Sequence, residues 1–323
     1  VDLEAGVRRE SFRAFGHYSG PTKLAAFDVN NDGVISAAEN NIFVANIANP
    51  GLVDYKISYT NYTFGANYRV TNDLSAFVRH SKGNRAIADR LLFSPNIDAA
   101  TGLLSAGGGE TAALAPVKQT EVGAKLRGKV GSGTYGLAAT LFRSTNEEFD
   151  FDQTRLPING PKLNQVGYKA DGIELESVGS MGMFSLLANV VYSKEEYTKN
   201  LGNQGAVGKT SGGVPKWRYT ISPRVTFGPA VVGATVRGQG EVFTNDGNTD
   251  KIDGYAIVNA FANYDFGNGL TGAVNISNLF DKLACAGGGG FAGGADSVNG
   301  STGVFNCGVE KGRTANVSVR YAF

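Results

Sequence analysis

Apolar and polar positions alternate with a period of two along most of this 323-residue chain, up to its last residue. In the closing stretch 312–323, Val317, Val319, Tyr321 and Phe323 share one face, while Asn316, Ser318, Arg320 and Ala322 share the other. Successive residues of a pleated strand point to opposite faces, so this period marks a strand with one apolar and one polar side. The same pattern predicts strands over 2–18, 53–71, 73–85, 118–130, 134–152, 167–178, 182–197, 215–227, 231–244, 254–266, 269–282 and 312–323. The expected fold class is therefore all-β, with about twelve strands. Globular strands average ~5–6 residues, and several of these are more than twice as long, which disfavours a soluble sandwich or solenoid.

The connections alternate between two kinds. Tight turns are predicted at Thr71-Asn72-Asp73, Gly131-Ser132-Gly133, Gly179-Ser180-Met181, Gly228-Pro229-Ala230 and Gly267-Asn268-Gly269, rich in residues that supply a positive or preset φ. The other connections are long, at 19–52, 86–117, 153–166, 198–214, 245–253 and 283–311. Short turns on one rim and long loops on the other are the layout of bacterial outer-membrane barrels, with the short turns in the periplasm. A transmembrane antiparallel β-barrel is the expectation, with outer-membrane lipid as its first partner.

Face assignments support this strand by strand, since ~9–11 tilted residues cross the hydrocarbon. In 118–130, Val122, Ala124, Leu126, Gly128 and Val130 oppose Glu121, Lys125, Arg127 and Lys129, whose charges require a wet interior. In 215–227, Trp217, Tyr219, Ile221, Val225 and Phe227 oppose Arg218, Thr220, Ser222, Arg224 and Thr226, with aromatics near both ends as interfacial girdles require. The strand at 254–266 is less clean, because Tyr255, Ile257 and Phe261 interrupt its polar side. A plug or neighbouring loop packed inside would account for that.

Composition narrows the classes. Charged residues make up 18%, glycines number 45, and the net charge is +1, so nothing points to nucleic acid. The chain is 42% apolar with a mean hydropathy of −0.14. No stretch approaches the ~18 consecutive apolar residues of a membrane helix, a test that a barrel escapes because only alternate residues meet lipid. No export signal is visible at Val1, so it has been removed or lies upstream.

The first long loop, over 20–51, carries sharper chemistry. Its residues 28–39, DVNNDGVISAAE, match the twelve-residue EF-hand pattern. Asp28, Asn30 and Asp32 supply side-chain oxygens at positions 1, 3 and 5, and Gly33 takes the sharp turn. The Val34 carbonyl is the next ligand, Ser36 acts directly or through water, and Glu39 closes the shell. Hard oxygen donors in this number suit Ca²⁺. Residues 23–27 and 37–44 are expected to form short flanking helices, and a lone motif of this kind stabilises a loop rather than signals. The competing reading is a polar Asp/Asn/Gly turn.

Two cysteines, Cys285 and Cys307, bracket a glycine-rich tract in the loop 283–311. An even count in one extracytoplasmic loop reads as a disulfide, contributing on the order of 3 kcal/mol in the chain-entropy model. Loop cations Arg85, Arg90, Arg155, Lys162, Lys209 and Lys251 could meet an anion, although such charges are usually solvated. A hydrolase needs an activated nucleophile, and the only histidines are His17 and His80. Ser81 lies on the opposite face from His80, and His17 shares a face with Ser19 without further support, so no enzyme is expected.

At this point the chain resembles a family. The stretch 254–283 with its Asn278-Leu279-Phe280-Asp281 ending, followed by a long loop and GRTANVSVRYAF, is similar to the C-terminal end of TonB-dependent outer-membrane receptors. The Gly-Tyr-x-Ala-x-Gly-x-Glu-x-Glu run at 167–176 and the Pro-x-Trp-x-Tyr element at 215–219 resemble strands of the same barrels. The resemblance implies a 22-stranded barrel in the outer membrane of a Gram-negative bacterium, of which residues 1–323 supply the C-terminal part. No plug domain or coupling segment is visible, so the chain reads as part of a larger receptor. It further implies uptake of a scarce solute, such as an iron chelate, cobalamin or an oligosaccharide, bound at the extracellular mouth. The TonB energy complex would then act through an unseen plug.

In such proteins the last strand with its terminal aromatic, here Tyr321 and Phe323, resembles the signal read by the barrel-assembly machinery. Phe323 also fits an interfacial girdle. A passive porin or a complete twelve-stranded channel stays open as the alternative, and a structural or adhesive surface protein as a third class.

Overall fold

The computed structural model describes all residues except 25, 38, 89–90, 92–95, 107–108, 152–162 and 287–307. In chain order the strands are β1 (Asp2–Tyr18), β2 (Pro21–Lys23), β3 (Phe43–Ala45), β4 (Gly51–Arg69), β5 (Leu74–Ala86), β6 (Leu114–Val130), β7 (Gly133–Phe151), β8 (Leu163–Met181) and β9 (Phe184–Asn200). They continue as β10 (Trp217–Phe227), β11 (Ala230–Gln239), β12 (Val242–Phe243), β13 (Lys251–Ile252), β14 (Tyr255–Gly267), β15 (Leu270–Ser277), β16 (Cys285–Ala286), β17 (Gly308–Val309) and β18 (Thr314–Tyr321). Twelve of them form one sheet in the order β1-β4-β5-β6-β7-β8-β9-β10-β11-β14-β15-β18. Every neighbouring pair is antiparallel, so the sheet is a meander. β1 and β18 are its two edges and do not pair with each other.

Register sorts the side chains into two faces. On one face Val78, Val122, Leu141, Ile173, Tyr192 and Trp217 form a single cross-strand row. The row ends in a ring pair, Tyr192–Trp217, with centroids 4.6 Å apart. Val78, Val122, Leu141 and Trp217 of this row are exposed. In water that area would be costly; against lipid tails it is matched. The opposite face of the same strands carries Lys125, Ala138, Glu176, Asn189 and Thr220 in one row, as a wet lumen demands. Strands of up to 19 residues exceed the ~9–11 needed to span, so their ends stand beyond the bilayer on the long-loop side.

Those upper ends are covered from the lumen. Val53, Tyr55 and Ile57 of β4 share the parity of the polar inner residues Asn61, Thr63 and Asn67. They are buried against Leu91, Ile97, Ala112 and Ala113 of the β5–β6 connection, with Phe12, Ala14 and Tyr18 of β1 packed alongside. The Tyr55 hydroxyl donates to the Ile87 carbonyl at 3.0 Å. A second cluster joins Val166, Tyr197 and Ala206, with Tyr168 against it. The long loops therefore fold inward over the wall.

Boundaries differ from the sequence expectation where single residues redirect the backbone. The strand expected over 231–244 stops at Gln239, because Gly240 and Gly254 meet so closely that a Cβ on Gly254 would lie 2.5 Å from the Gln239 carbonyl oxygen. Residues beyond it turn away into the separate β12–β13 ribbon. The strand expected over 269–282 stops at Ser277, because Asn278 takes φ 49°. Its side-chain amide donates to the carbonyls of Lys282 and Lys311 at 3.0 and 3.1 Å, and its oxygen accepts from the Lys282 amide at 2.8 Å. The Asn278-Leu279-Phe280-Asp281 ending is thus a turn that ties β15 to the approach to β18.

Asn278 is 2% exposed, and removing its side chain takes away three part-buried hydrogen bonds to the backbone of Lys282 and Lys311, each contributing about 0.5–1.5 kcal/mol. Asn278→Ala is expected to lower the unfolding temperature read by heat-modifiable gel mobility. Asn278→Gly, which keeps the positive φ accessible, is expected to lower it less. An unchanged transition in both would remove this turn from the structural core.

Candidate functional site

The inner wall and its loops form the candidate site. Low on the lumen face, toward the short turns, Asn67, Arg69, Ser75, Lys125, Arg127 and Glu176 contribute to a cavity of about 600 Å³. Higher up, Glu195 of β9 accepts hydrogen bonds from the Ser211 amide at 3.1 Å and hydroxyl at 3.0 Å. Burial pushes its carboxyl above the ordinary range, against the pull of Ser211. Asp246 of the β12–β13 ribbon accepts from the Gly212 amide at 3.2 Å, and Asn248 bonds both the amide and the carbonyl of Thr210. Two extracellular loops are thereby locked to each other and to the wall.

A third loop is held by charge. Arg237 of β11 makes a bidentate pair with Glu310, at 3.0 and 2.6 Å. The Glu310 amide donates to the Ala284 carbonyl, so both arms of the last loop are drawn to the wall beside buried Ile257. This inward packing is why Tyr255 and Ile257 interrupt the polar side of β14. No sequence signal identifies the Arg237–Glu310 clamp, since its partners are 73 residues apart.

Of the loop cations, Arg85 lies 3.6 Å from Glu148, Lys209 donates to the Gly247 carbonyl at 3.1 Å, and Lys251 pairs with Glu241. All three thus make contacts within the chain, while Arg85 and Lys251 keep exposed side chains. Arg90, Arg155 and Lys162 lie outside the described residues. His80 bonds Thr120, Nδ1 to Oγ1 at 2.8 Å, on the outer face. Its register partner is Phe64, and that of His17 is Leu52.

The acidic loop sits at the tip of the β2–β3 ribbon. This corrects the expected flanking helices: on the approach β2 ends at Lys23 and residues 24, 26 and 27 have no regular structure, while the exit holds one 3₁₀ turn, Glu39–Asn41, and then β3. Within it Asp28 accepts from the amides of Asp32 and Gly33 at 3.2 and 2.8 Å, and Asp32 from the amide of Val34 at 2.8 Å. Asn30 accepts from the Asp32 amide at 3.0 Å. Glu39, 9% exposed, accepts from Val29 and Ser36 amides at 3.1 and 2.8 Å. The Ser36 amide is the chief cause holding its carboxyl below the ordinary range. Gly33 has φ 80° and Asn31 φ 57°, the left-handed values that the sharp turn needs. Asp28, Asp32 and Glu39 have no cationic side-chain partner among the described residues. Nor do three or more His, Cys, Asp or Glu side chains converge at metal-holding distance among them. The donor set fits a hard cation; its arms stand apart, each carboxylate resting on backbone amides.

Cys285 lies in β16, and no described cysteine is a free thiol. Cys307 lies outside the described residues. Tyr321 ends the outer face of β18, which stops two residues short of the expected strand end, and Phe323 lies just beyond it, the two ring centroids 6.3 Å apart.

Comparison with known proteins places this wall. The model of the family "TonB dependent receptor-like, beta-barrel" matches residues 1–279. The siderophore receptor PiuA from Acinetobacter baumannii is 17% identical; the match covers 99% of this chain and 40% of PiuA, with a TM-score of 0.67. The ferric yersiniabactin uptake receptor FyuA from Yersinia pestis is 15% identical, with 99% and 43% covered and a TM-score of 0.64. The copper transporter OprC is 14% identical, with 99% and 45% covered and a TM-score of 0.67. The chain thus spans less than half the length of these proteins, and at such identities the likeness is one of fold. No curated protein matches it in sequence. With its outward apolar rows, wet inner wall and matched family model, the chain belongs to the β-barrel family of TonB-dependent receptors, proteins of the Gram-negative outer membrane.

Proposed function

We propose that this chain forms twelve strands of the wall of a TonB-dependent importer whose solute is an iron chelate. The family match over residues 1–279 carries the reading, and the siderophore receptors of matching fold favour the chelate over cobalamin or an oligosaccharide. The inward-folded loops support it too, since they build a polar mouth of the kind that orients a solute. A complete twelve-stranded channel would need β1 to pair with β18, and those edges are unpaired here. Energy coupling through TonB and a plug is part of the same proposal. In a strain lacking the full-length receptor, uptake of ⁵⁵Fe-labelled chelates is expected to fall for at least one chelate and to be restored by the intact gene. The restored uptake should collapse when the proton gradient is discharged. Uptake that persists without the gradient would instead mean a passive pore, and labelled cobalamin or oligosaccharide taken up in place of iron would reassign the solute.

The loop at 28–39 is proposed to bind Ca²⁺ through Asp28, Asn30, Asp32, the Val34 carbonyl, Ser36 and Glu39. Support comes from the spacing, the left-handed turn at Gly33, and three carboxylates without a cationic side-chain partner among the described residues. When bound, the ion supplies charge neutralisation and pins the loop; the side chains alone hold the turn by accepting backbone amides. Millimolar Ca²⁺ is expected to protect residues 20–50 from protease, and Glu39→Gln to weaken that effect at least about tenfold in ion concentration. Because the Glu39 carboxyl is held low, its contribution to loop order is present above the ordinary carboxylate range and lost as pH falls through its folded value. Protease protection that is identical with calcium or a chelator would refute the site.

A Cys285–Cys307 disulfide closing the last loop is proposed on the pairing of two cysteines in one extracellular segment. The β18 terminus, Tyr321 and Phe323, is proposed as the assembly signal, its aromatics standing at the end of an unpaired sheet edge. Deleting Phe323 is expected to reduce folded receptor at the cell surface several-fold, measured by heat-modifiable mobility. Unchanged abundance would leave it a girdle residue only.

A further inference from the structure

The outer wall carries a feature that neither solute uptake nor the loops require. Directly beyond the last apolar row, Val78-Val122-Leu141-Ile173-Tyr192, lie two further outward rows joined in register. The nearer is His80-Thr120-Arg143-Asp171-Lys194, and the next is Lys82-Lys118-Thr145-Lys169-Glu196. Cations outnumber carboxylates here by five to two, leaving His80 aside.

The two ends of this patch differ. On β7 to β9 the charges satisfy one another: Arg143 bonds Asp171 at 2.6 Å, and Lys169 and Lys194 bond Glu196 at 2.7 and 2.9 Å. On β5 and β6, Lys82 stands directly opposite Lys118, and neither has a carboxylate partner among the described residues. Like charges facing each other across an antiparallel pair repel. The arrangement is favourable once an anion sits between them. His80 and Thr120, one row nearer the lipid, add a polar shelf, and the exposed side chains of Val78, Val122 and Leu141 continue below it.

We propose that Lys82 and Lys118, flanked by His80, Thr120 and Arg143, dock the phosphate of an outer-leaflet lipid whose acyl chains run down over Val78, Val122 and Leu141. The choice of a lipid over a soluble anion follows from continuity: the cations begin at the row where the lipid-facing surface ends, and they point outward rather than into the lumen. Basic side chains at a membrane surface attract anionic headgroups in this way, and lysine ammonium groups bind phosphate as point charges. The inference rests on the outer-membrane location and is independent of which solute is imported.

The test uses the full-length receptor extracted in mild detergent, with bound lipid identified by native mass spectrometry and phosphate content. The double variant Lys82→Gln with Lys118→Gln is expected to retain about tenfold less phosphate-bearing lipid. A control with the same charge change on the lumen face, Lys129→Gln with Arg320→Gln, should retain the wild-type amount. Lys82→Arg with Lys118→Arg should also retain it, and heat-modifiable mobility verifies that each variant is folded. Equal retention in the outward variant, or equal loss in the lumen control, would overturn the proposal. Inorganic phosphate that binds wild type but not the outward variant, with lipid content unchanged, would overturn the lipid assignment in favour of a soluble anion.

Discussion

A backbone crossing hydrocarbon must pair every amide and carbonyl with itself, because no water is there to take them. In this chain the ladder does so on both sides of the ten inner strands of the sheet, while β1 and β18 each leave one edge unpaired. Once the ladder is fixed, the side chains have one remaining choice per residue, lipid or lumen, and the pleat makes that choice alternate. Apolar rows outside, polar rows inside and the placement of aromatics are consequences of that one constraint.

Period and turn chemistry made the sheet legible from sequence. Long alternating runs such as 118–130 and 215–227 admit only one sorting, and Gly131, Gly228 and Gly267 adopt the positive φ that their turns need. The errors fall where one residue's tertiary contacts decide. Gly240 and Gly254 continue a β pattern until their close approach ends it, and Asn278 looks like strand until its amide captures Lys282 and Lys311. The helices expected beside the acidic loop gave way to the β2–β3 ribbon, since the loop grows from the top of the β1–β4 hairpin and inherits its antiparallel entry.

The candidate site was less legible than the wall. The six proposed oxygen donors of residues 28–39 stand in one short motif, so that proposal comes directly from the sequence. The mouth is built from contacts between distant segments: Glu195 with Ser211, Asp246 with Gly212, and Arg237 with Glu310. Local pattern carries no trace of such partners. The Lys82–Lys118 juxtaposition is likewise a property of register, and each lysine alone reads as an ordinary surface charge. Across the structure, the outer rows set the depth of the wall in the bilayer, and the inward loops shape the mouth that the wall supports.

The most direct test of this arrangement is site-directed spin labelling at successive positions 122–129 in the full-length receptor, reconstituted in a bilayer. Accessibility to oxygen, which partitions into lipid, should peak at Val122, Ala124, Leu126 and Gly128. Accessibility to a water-soluble nickel chelate should rise instead at Lys125, Arg127 and Lys129. A profile with no period of two, or with the two sets exchanged, would contradict a membrane wall with this inside and this outside.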